Sequence, residues 1–475
     1  MDGLEISEIQ LSDLERTARI DAEFYKKENM VIAAMLKKPE FHPVTDYFTI
    51  SDGNHMSISE EFQTEGVPYY RGQDIYNTFI EEASSVCIDY GTYMHPHMIR
   101  SHLMPGDVLM SIVGAIVGNT ALVSSDKPAT CSCKLSIIRS KKTGLLPESL
   151  LSFIRTKYGQ NQIQKFKRGA AQTGFLLEDF DQIYLPVFGL QLQNEIKKTI
   201  DMAHSAVVSE AHVYHEAEQI LLSAIKYQAP EKQAVISAVK TFKNSFLLTG
   251  RLDAEYYQPK YDSLFKTVEH FGCKPLGGSS GIVTIKKSIE PGSDAYQNEG
   301  IPFVRVSDVS KFEISKPELF LQDDVIENVE SLFPQKNTIL FSKDGSVGIA
   351  YKVEEDMRII TSGALLHLTV RDTDTVLPDY LTLVLNSPIV QLQAERDANG
   401  AIIQHWKPSE IEKVVIPVLD MSIQREISDK VQESFALRHK SKELLEYAKQ
   451  AVEMAIEQGE ETALDWLKDK VSACE

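Results

Sequence analysis

Two short runs carry side chains suited to gripping a polyanion or reading a base. Arg71-Gly-Gln73-Asp74 and Arg305-Val-Ser307-Asp308 each follow an apolar run and offer a guanidinium, an amide or hydroxyl, and a carboxylate. Ser111-Ile-Val-Gly114 and Ser342-Lys343-Asp344-Gly345 are glycine turns, where backbone without a Cβ can approach a partner closely. A third pair of loops holds Gln172-Thr173 and Gln404-His405-Trp406-Lys407. Arg, Lys, Gln and Ser on loops are the groups that bond phosphate oxygens and base edges. The alternative for both Arg-x-x-Asp runs is an ion pair inside a turn. Their recurrence beside glycine turns favours binding.

Basic residues concentrate near the first set. From Lys134 to Arg168 there are nine (Lys134, Arg139, Lys141, Lys142, Arg155, Lys157, Lys165, Lys167, Arg168) against Glu148 alone, a net of +8. Residues 1–100 sum to −10, and the whole 475-residue chain carries −19. Such polarity is the footprint of a phosphate-binding face, which an acidic average conceals. The matching stretch 365–396 nets −2, so its half relies on scattered bases such as Lys286, Lys287, Arg305, Lys343 and Lys407.

Signs of catalysis are missing. There is no GxxxxGK phosphate loop, no HExxH zinc pair, and no NPPY or DPPY tetrapeptide of the kind that holds a flipped base in amino-methyltransferases. Histidines are dispersed; His95-Pro-His97 with His102 reads as a solvated loop, and no metal site is expected. Five scattered cysteines do not make a disulfide framework, and the acidic N-terminus lacks the apolar region of a signal peptide. A cytoplasmic protein without membrane association is the expectation.

The elements that position these loops come in duplicate. RIDAEFY (19–25) returns as RLDAEYY (251–257), EGVPYYRGQDI (65–75) as EGIPFVRVSDV (299–309), and VLMSIVGAIVG (108–118) as ILFSKDGSVG (339–348). KRGAAQTGFLLEDFDQIYLPV (167–187) matches ANGAIIQHWKPSEIEKVVIPV (398–418), and LQLQNEI (190–196) matches MSIQREI (421–427). Five blocks in one order at offsets of 231–234 make this one plan of about 230 residues used twice. VPYYRGQDI, DVLMSIV, NTILFS and LLHLTV read as strands; 147–167 and 378–395 each read as a helix. The segments 191–226 and 422–457 lack Gly and Pro and repeat apolar residues every three or four positions. Each is an expected helix of 36 residues, about 54 Å long at ~1.5 Å per residue. Ile196, Ile200, Val207, Tyr214 and Leu221 form one seam, and Ile427, Val431, Phe435, Leu444 and Ala448 the other. Packing on each other, rather than each on its own domain, is favoured by their equal length.

The fold class expected is α+β, with two tandem mixed α/β domains, each followed by a long helix. The two helices pair as an antiparallel coiled coil with pseudo-twofold symmetry. Expected boundaries are 1–190 for the first domain, 191–227 for its helix, 228–250 for a linker, 251–420 for the second domain, 421–457 for its helix, and 458–475 for an acidic tail in which Trp466 and Leu467 cap the helices.

The repeat resembles the specificity subunits of type I restriction–modification systems. The resemblance rests on the G-[VI]-P-[YF]-x-R-x-x-D-[IV] blocks, ILFSKDGSVGIAYKV, the GAAQTGF and GAIIQHW loops, and the [YV]-[LI]-P-V exits into the helices. It implies two target-recognition domains, each reading one half of a split duplex DNA target, with the helices as a ruler. It implies no catalysis and no cofactor in this chain, S-adenosylmethionine belonging to two docked methyltransferase subunits. Restriction and translocase subunits would join them. DNA contacts would fall on Arg71, Gln73, Asp74, Ser111, Gly114, Lys134, Arg139, Lys165, Lys167, Arg168, Gln172 and Thr173. In the second copy they would fall on Arg305, Ser307, Asp308, Ser342, Lys343, Asp344, Gln404, His405 and Lys407. The competing class is a DNA-independent scaffold with two heads and a coiled coil.

Overall fold

The computed structural model describes residues 7–9, 19–38, 40–76, 78–80, 85–142, 144–169, 173–229, 237–269, 271–322, 328–400 and 403–474. The chain divides into two compact units, Met1–Val207 with His439–Glu475, and Val208–Arg438. The division runs through the long helices rather than at residues 190 and 420, because each helix lends one half to each unit.

In the first unit a sheet runs in the order Phe48–Asp52, Leu135–Ser140, Val108–Ser111, Thr120–Leu122, Thr78–Ile80, Ile75–Tyr76. In the second unit, Val283–Lys287, Leu365–Val370, Ile339–Ser342 and Ala350–Lys352 occupy the same order. Central strands Val-Leu-Met-Ser and Ile-Leu-Phe-Ser are buried at every position, which explains their unbroken apolar runs. A smaller sheet also recurs: Val86–Ile88, Val67–Tyr70, Thr130–Cys131 in one unit and Leu319–Leu321, Ile301–Val304, Ile360–Thr361 in the other. Among the described residues, the hairpin at 75–80 has no counterpart strand in the second sheet. Its Thr78–Ile80 strand runs parallel to Thr120–Leu122.

Each stretch read as one helix is two. Pro147–Arg155 and Lys157–Phe166 break at Thr156, and Pro378–Asn386 and Pro388–Asp397 break at Ser387. Thr156 is extended; its hydroxyl donates to the Phe153 carbonyl at 2.6 Å and accepts the Gly159 N–H at 3.1 Å. Gly159 lets the two helices close up, since a Cβ there would lie 2.4 Å from the Phe153 oxygen. Pro388 forces the same break in the second copy by excluding Ser387 from helical backbone.

The long helices span Leu190–Ala224 and Met421–Gln458. In the first unit Ile196, Ile200 and Ala203 share a core with Leu444, Ala448 and Val452, while Val207 is only partly buried. In the second, Tyr214 and Leu221 share one with Ile427, Val431 and Phe435. The ion pairs Glu210–Arg438 and Glu216–Lys430 advance along one helix while retreating along the other, so the pair is antiparallel. The segment expected as an acidic tail instead forms a helix, Glu460–Ser472. Its Ala463, Leu467 and Val471 enter the first unit's core, Trp466 packs edge-on against Tyr447, and Glu460 accepts the Gly189 N–H at 2.7 Å.

Three glutamines tie these parts together, and each recurs at an offset of 231. Gln193 accepts the Leu146 N–H at 2.8 Å and donates to the Gly144 and Phe188 carbonyls; Gln424 accepts from Leu377 at 3.0 Å and donates to Thr375 and Leu419. Gln162 and Gln393 likewise clamp both backbone groups of Tyr184 and Val415, the entry to the strands Tyr184–Pro186 and Val415–Pro417. Gln160 and Gln391 donate to the carbonyls of Gly118 and Gly348, at the ends of the glycine turns.

Two measurements test this packing. Gln424→Leu keeps the volume but strands a buried N–H and two carbonyls, so it should cost about 3 kcal/mol in urea unfolding. His367, buried against Thr361, is pushed down to about 4 by desolvation and then by nearby Lys286. The unfolded ring takes a proton near pH 6.5 while the folded ring resists to about 4, so stability present above 6.5 is lost as pH falls through that window. His367→Gln should remove up to about 3 kcal/mol of this pH dependence, read from urea midpoints at pH 7.5 and 4.5.

Candidate nucleic-acid interface

Both Arg-x-x-Asp runs fold into the same 3-10 turn. The Arg71 N–H donates to the Asp74 carboxylate at 2.8 Å while the Asp74 N–H donates back to the Arg71 carbonyl at 2.9 Å. Arg71 Nε also bonds Asp74, whose side chain is fully buried. Arg305 and Asp308 repeat this, at 2.8 Å and 3.0 Å, with the Ser307 hydroxyl donating to Asp308 at 3.1 Å. The carboxylates of Asp74 and Asp308 thus shape their turns and face inward, which removes Asp74 from the groups displayed to a base. Gln73 and Ser307 stand exposed at the tips.

The glycine turn and the third loop meet in both copies. Val113 bridges to Gly174, the Gly114 N–H donates to the Thr173 carbonyl at 2.8 Å, and the Thr173 hydroxyl donates to the Gly114 carbonyl at 2.9 Å. At the same register, Asp344–Gly345 pairs antiparallel with Gln404–His405. Gly114 and Gly345 have φ of +91° and +74°, which accounts for glycine at both positions. The Arg71–Asp74 turn lies against this loop, with a Cβ on Gly72 falling 3.1 Å from Ile116 and 3.6 Å from Ser111 Oγ. Ser111 and Ser342 are fully buried and brace the turns from beneath rather than facing outward. Ser342 Oγ donates to the Ser346 carbonyl at 2.6 Å and accepts the Ile349 N–H at 2.8 Å. Gln172 lies outside the described residues. By register it is Thr173, not Gln172, that corresponds to Gln404.

Part of the basic strip is held within the fold. Arg139 forks onto buried Asp107 at 2.7 and 2.6 Å, and Arg168 onto buried Asp179 at 2.6 and 2.7 Å. Lys157 pairs with Glu457 at 2.7 Å, and burial lowers the pKa of Arg155 against the opposing field of Glu446. Lys165 is buried with its ammonium 4.2 Å from the centre of the Phe24 ring. Arg19 covers the same ring at 4.8 Å and donates to the Lys165 carbonyl at 3.2 Å. Arg251, Tyr256 and Arg396 rebuild this stack in the second copy, which explains the recurring RIDAEFY motif. Lys165, Arg139 and Arg168 therefore leave the set of phosphate-facing cations, because each is held by a partner distant in sequence. Lys134, Lys141 and Lys142 are exposed and Lys167 partly so; Gln404, His405 and Lys407 are exposed in the second copy. Lys343 is tied to Asp344.

The glutamines at 160, 162, 193, 391, 393 and 424 escaped the sequence reading. Their signal was identity across the two copies at neutral, rather than charged, positions.

Residues 280–447 match the family model described as the type I restriction modification DNA specificity domain. The match falls within the second copy. The first copy repeats the domain's strand order, paired loops and buried glutamines. The resemblance carried by the repeated motifs is thus borne out, and what is recognised in type I specificity domains is DNA. The type I restriction enzyme EcoBI specificity subunit of Escherichia coli is 22% identical over 245 residues, 48% of this chain. The chain spans 50% of that relative's length. Among solved structures, the type I S subunit from M. genitalium is 13% identical with a TM-score of 0.38, covering 90% of this chain and 95% of its own. The HsdS subunit from Thermoanaerobacter tengcongensis is 17% identical with a TM-score of 0.29, covering 89% and 97%. Among the described residues no helix is long and apolar enough to cross a membrane.

The division of the basic strip into internal and displayed cations is testable by unfolding. Arg168→Ala leaves Asp179 buried without its fork and should destabilise the first unit by about 3–5 kcal/mol. Lys134→Ala should change stability by less than about 0.5 kcal/mol.

Proposed function

We propose that this chain is the DNA-recognition subunit of a type I restriction–modification complex and catalyses no reaction itself. Each head reads one half of a bipartite duplex target, and the long helices set the spacing between the halves. Two methyltransferase subunits dock on the chain and supply S-adenosylmethionine; restriction and translocase subunits join the full complex. The observation that carries this reading is the same loop constellation built twice on one scaffold, inside a chain whose second copy holds the match to the specificity domain. Duplicated loops with differing side chains suit two halves of an asymmetric site, since sequence is read at base edges while the framework only positions.

The internal pairing of the basic strip bears on affinity. With Arg139, Lys165 and Arg168 held by partners within the fold, the strip displays fewer cations for phosphates than its net charge of +8 suggests. Binding by the chain alone should fall only gently with salt on a log–log plot. The complex with methyltransferase should bind more tightly and show a steeper slope, near −0.9 per phosphate contacted. Gel-shift titrations on duplex DNA from about 50 to 200 mM salt read both slopes. A scaffold that does not bind DNA would retain no duplex in either form, and that result would remove the proposal.

A further inference from the structure

The paired loops of the second copy form a small ribbon whose displayed chemistry the first copy does not share. Asp344–Gly345 and Gln404–His405 are its two strands. Its base is fixed by Trp406, 1% exposed, whose backbone N–H donates to the Lys343 carbonyl at 2.7 Å and whose ring packs 5.8 Å from Phe341. Toward its far end Gly400 has a φ of +130°, and a Cβ there would fall 1.9 Å from the Ile403 carbonyl oxygen. Asn399 and His405 exchange two backbone bonds, at 2.9 and 2.7 Å. Gln404 and His405 are exposed on a braced backbone.

His405 is not free to turn. Its Nδ1 lies 2.8 Å from Asp344 Oδ1, and the other carboxylate oxygen of Asp344 is engaged by Lys343. A carboxylate can only accept, so Nδ1 carries the hydrogen. The neutral ring then turns an Nε2 lone pair away from Asp344, on a side chain 63% exposed. In the major groove, which admits a two-stranded ribbon, such an acceptor pairs with adenine N6 or cytosine N4. The adjacent Gln404 offers a donor and an acceptor together, the pattern that fits adenine N6 and N7. At the same register the first copy has Val113, Gly174 and Thr173, the last closed onto Gly114.

We infer that Gln404 and His405 are the specificity-determining side chains of the second copy, with Asp344 the positioning residue that makes His405 an acceptor. This rests on the DNA-recognition reading proposed above. Loss of Asp344 as an acceptor changes what His405 reads: in Asp344→Asn the side-chain amide can donate to Nδ1, and the ring then presents Nε2–H outward. A merely structural Asp344 would weaken binding without altering which base is chosen.

The experiment is selection from a randomised duplex pool by the full chain in complex with its methyltransferase, at pH 8, above the ordinary histidine range. His405→Ala should relax preference at one base pair of one half-site by about tenfold. Asp344→Asn should move the preference at that same base pair from adenine or cytosine toward guanine or thymine. Asp344→Glu should retain part of the original choice, and Thr173→Ala should leave that half-site unchanged. His405 packs in no core, so His405→Ala decides the matter even if the Asp344 variants fold poorly. If His405→Ala and Asp344→Asn bind DNA with wild-type preference at every position, the inference is overturned while the DNA-recognition reading stands. If the wild-type complex selects no sequence, both fall.

Discussion

A buried glutamine amide is the constraint on which each half of this molecule depends. Gln193 and Gln424, at 2% and 0% exposure, satisfy a backbone donor and two carbonyls where each long helix leaves its head. In a dry site an unmet amide or carbonyl is costly, so the helix has one acceptable seat against its domain. Gln160 and Gln391 extend the constraint to the glycine turns by holding the carbonyls of Gly118 and Gly348. Glutamine suits the task because its amide carries donor and acceptor together and no charge to desolvate.

On that scaffold the two copies keep geometry and vary chemistry. The Arg-x-x-Asp turn, the paired loops and the cation stacked on an aromatic ring recur almost bond for bond. What changes is the side chain at a fixed register: Val113 against Asp344, Thr173 against Gln404, Gly174 against His405. Recurring charge is paired within the fold here, while the polar side chains that do not recur, Gln404 and His405, stand exposed. Under the proposed function, in which each half reads its own sequence on a shared framework, that is the physically reasonable division of labour.

Much of the architecture was legible in the chain, while the candidate site was legible mainly as a set of loops. The offset of 231 fixed which segments correspond, and 3.6-residue periodicity located both long helices to within two residues of their ends. The break at Thr156 was not legible, because the flanking apolar pattern continues through it, whereas Pro388 marks the one at Ser387 in the sequence. Nor was the helix Glu460–Ser472, whose acidic surface hides three core residues that find their partners only in the first unit. The pairing of part of the basic strip was hidden for a related reason. Net charge counts residues, whereas availability depends on partners such as Asp107, Asp179 and Glu457, which lie from 11 to 300 positions away.

The sequence by itself determined the duplication, the element types and which loops correspond between the copies, because periodicity, turn chemistry and repeat register are local properties of the chain. Which side chains in those loops face outward was decided only by the tertiary structure. Burial and long-range pairing turn Arg139, Lys165 and Arg168 into framework, and leave Gln404 and His405 displayed. Whether a charge is spent or shown is set by the groups that folding brings beside it.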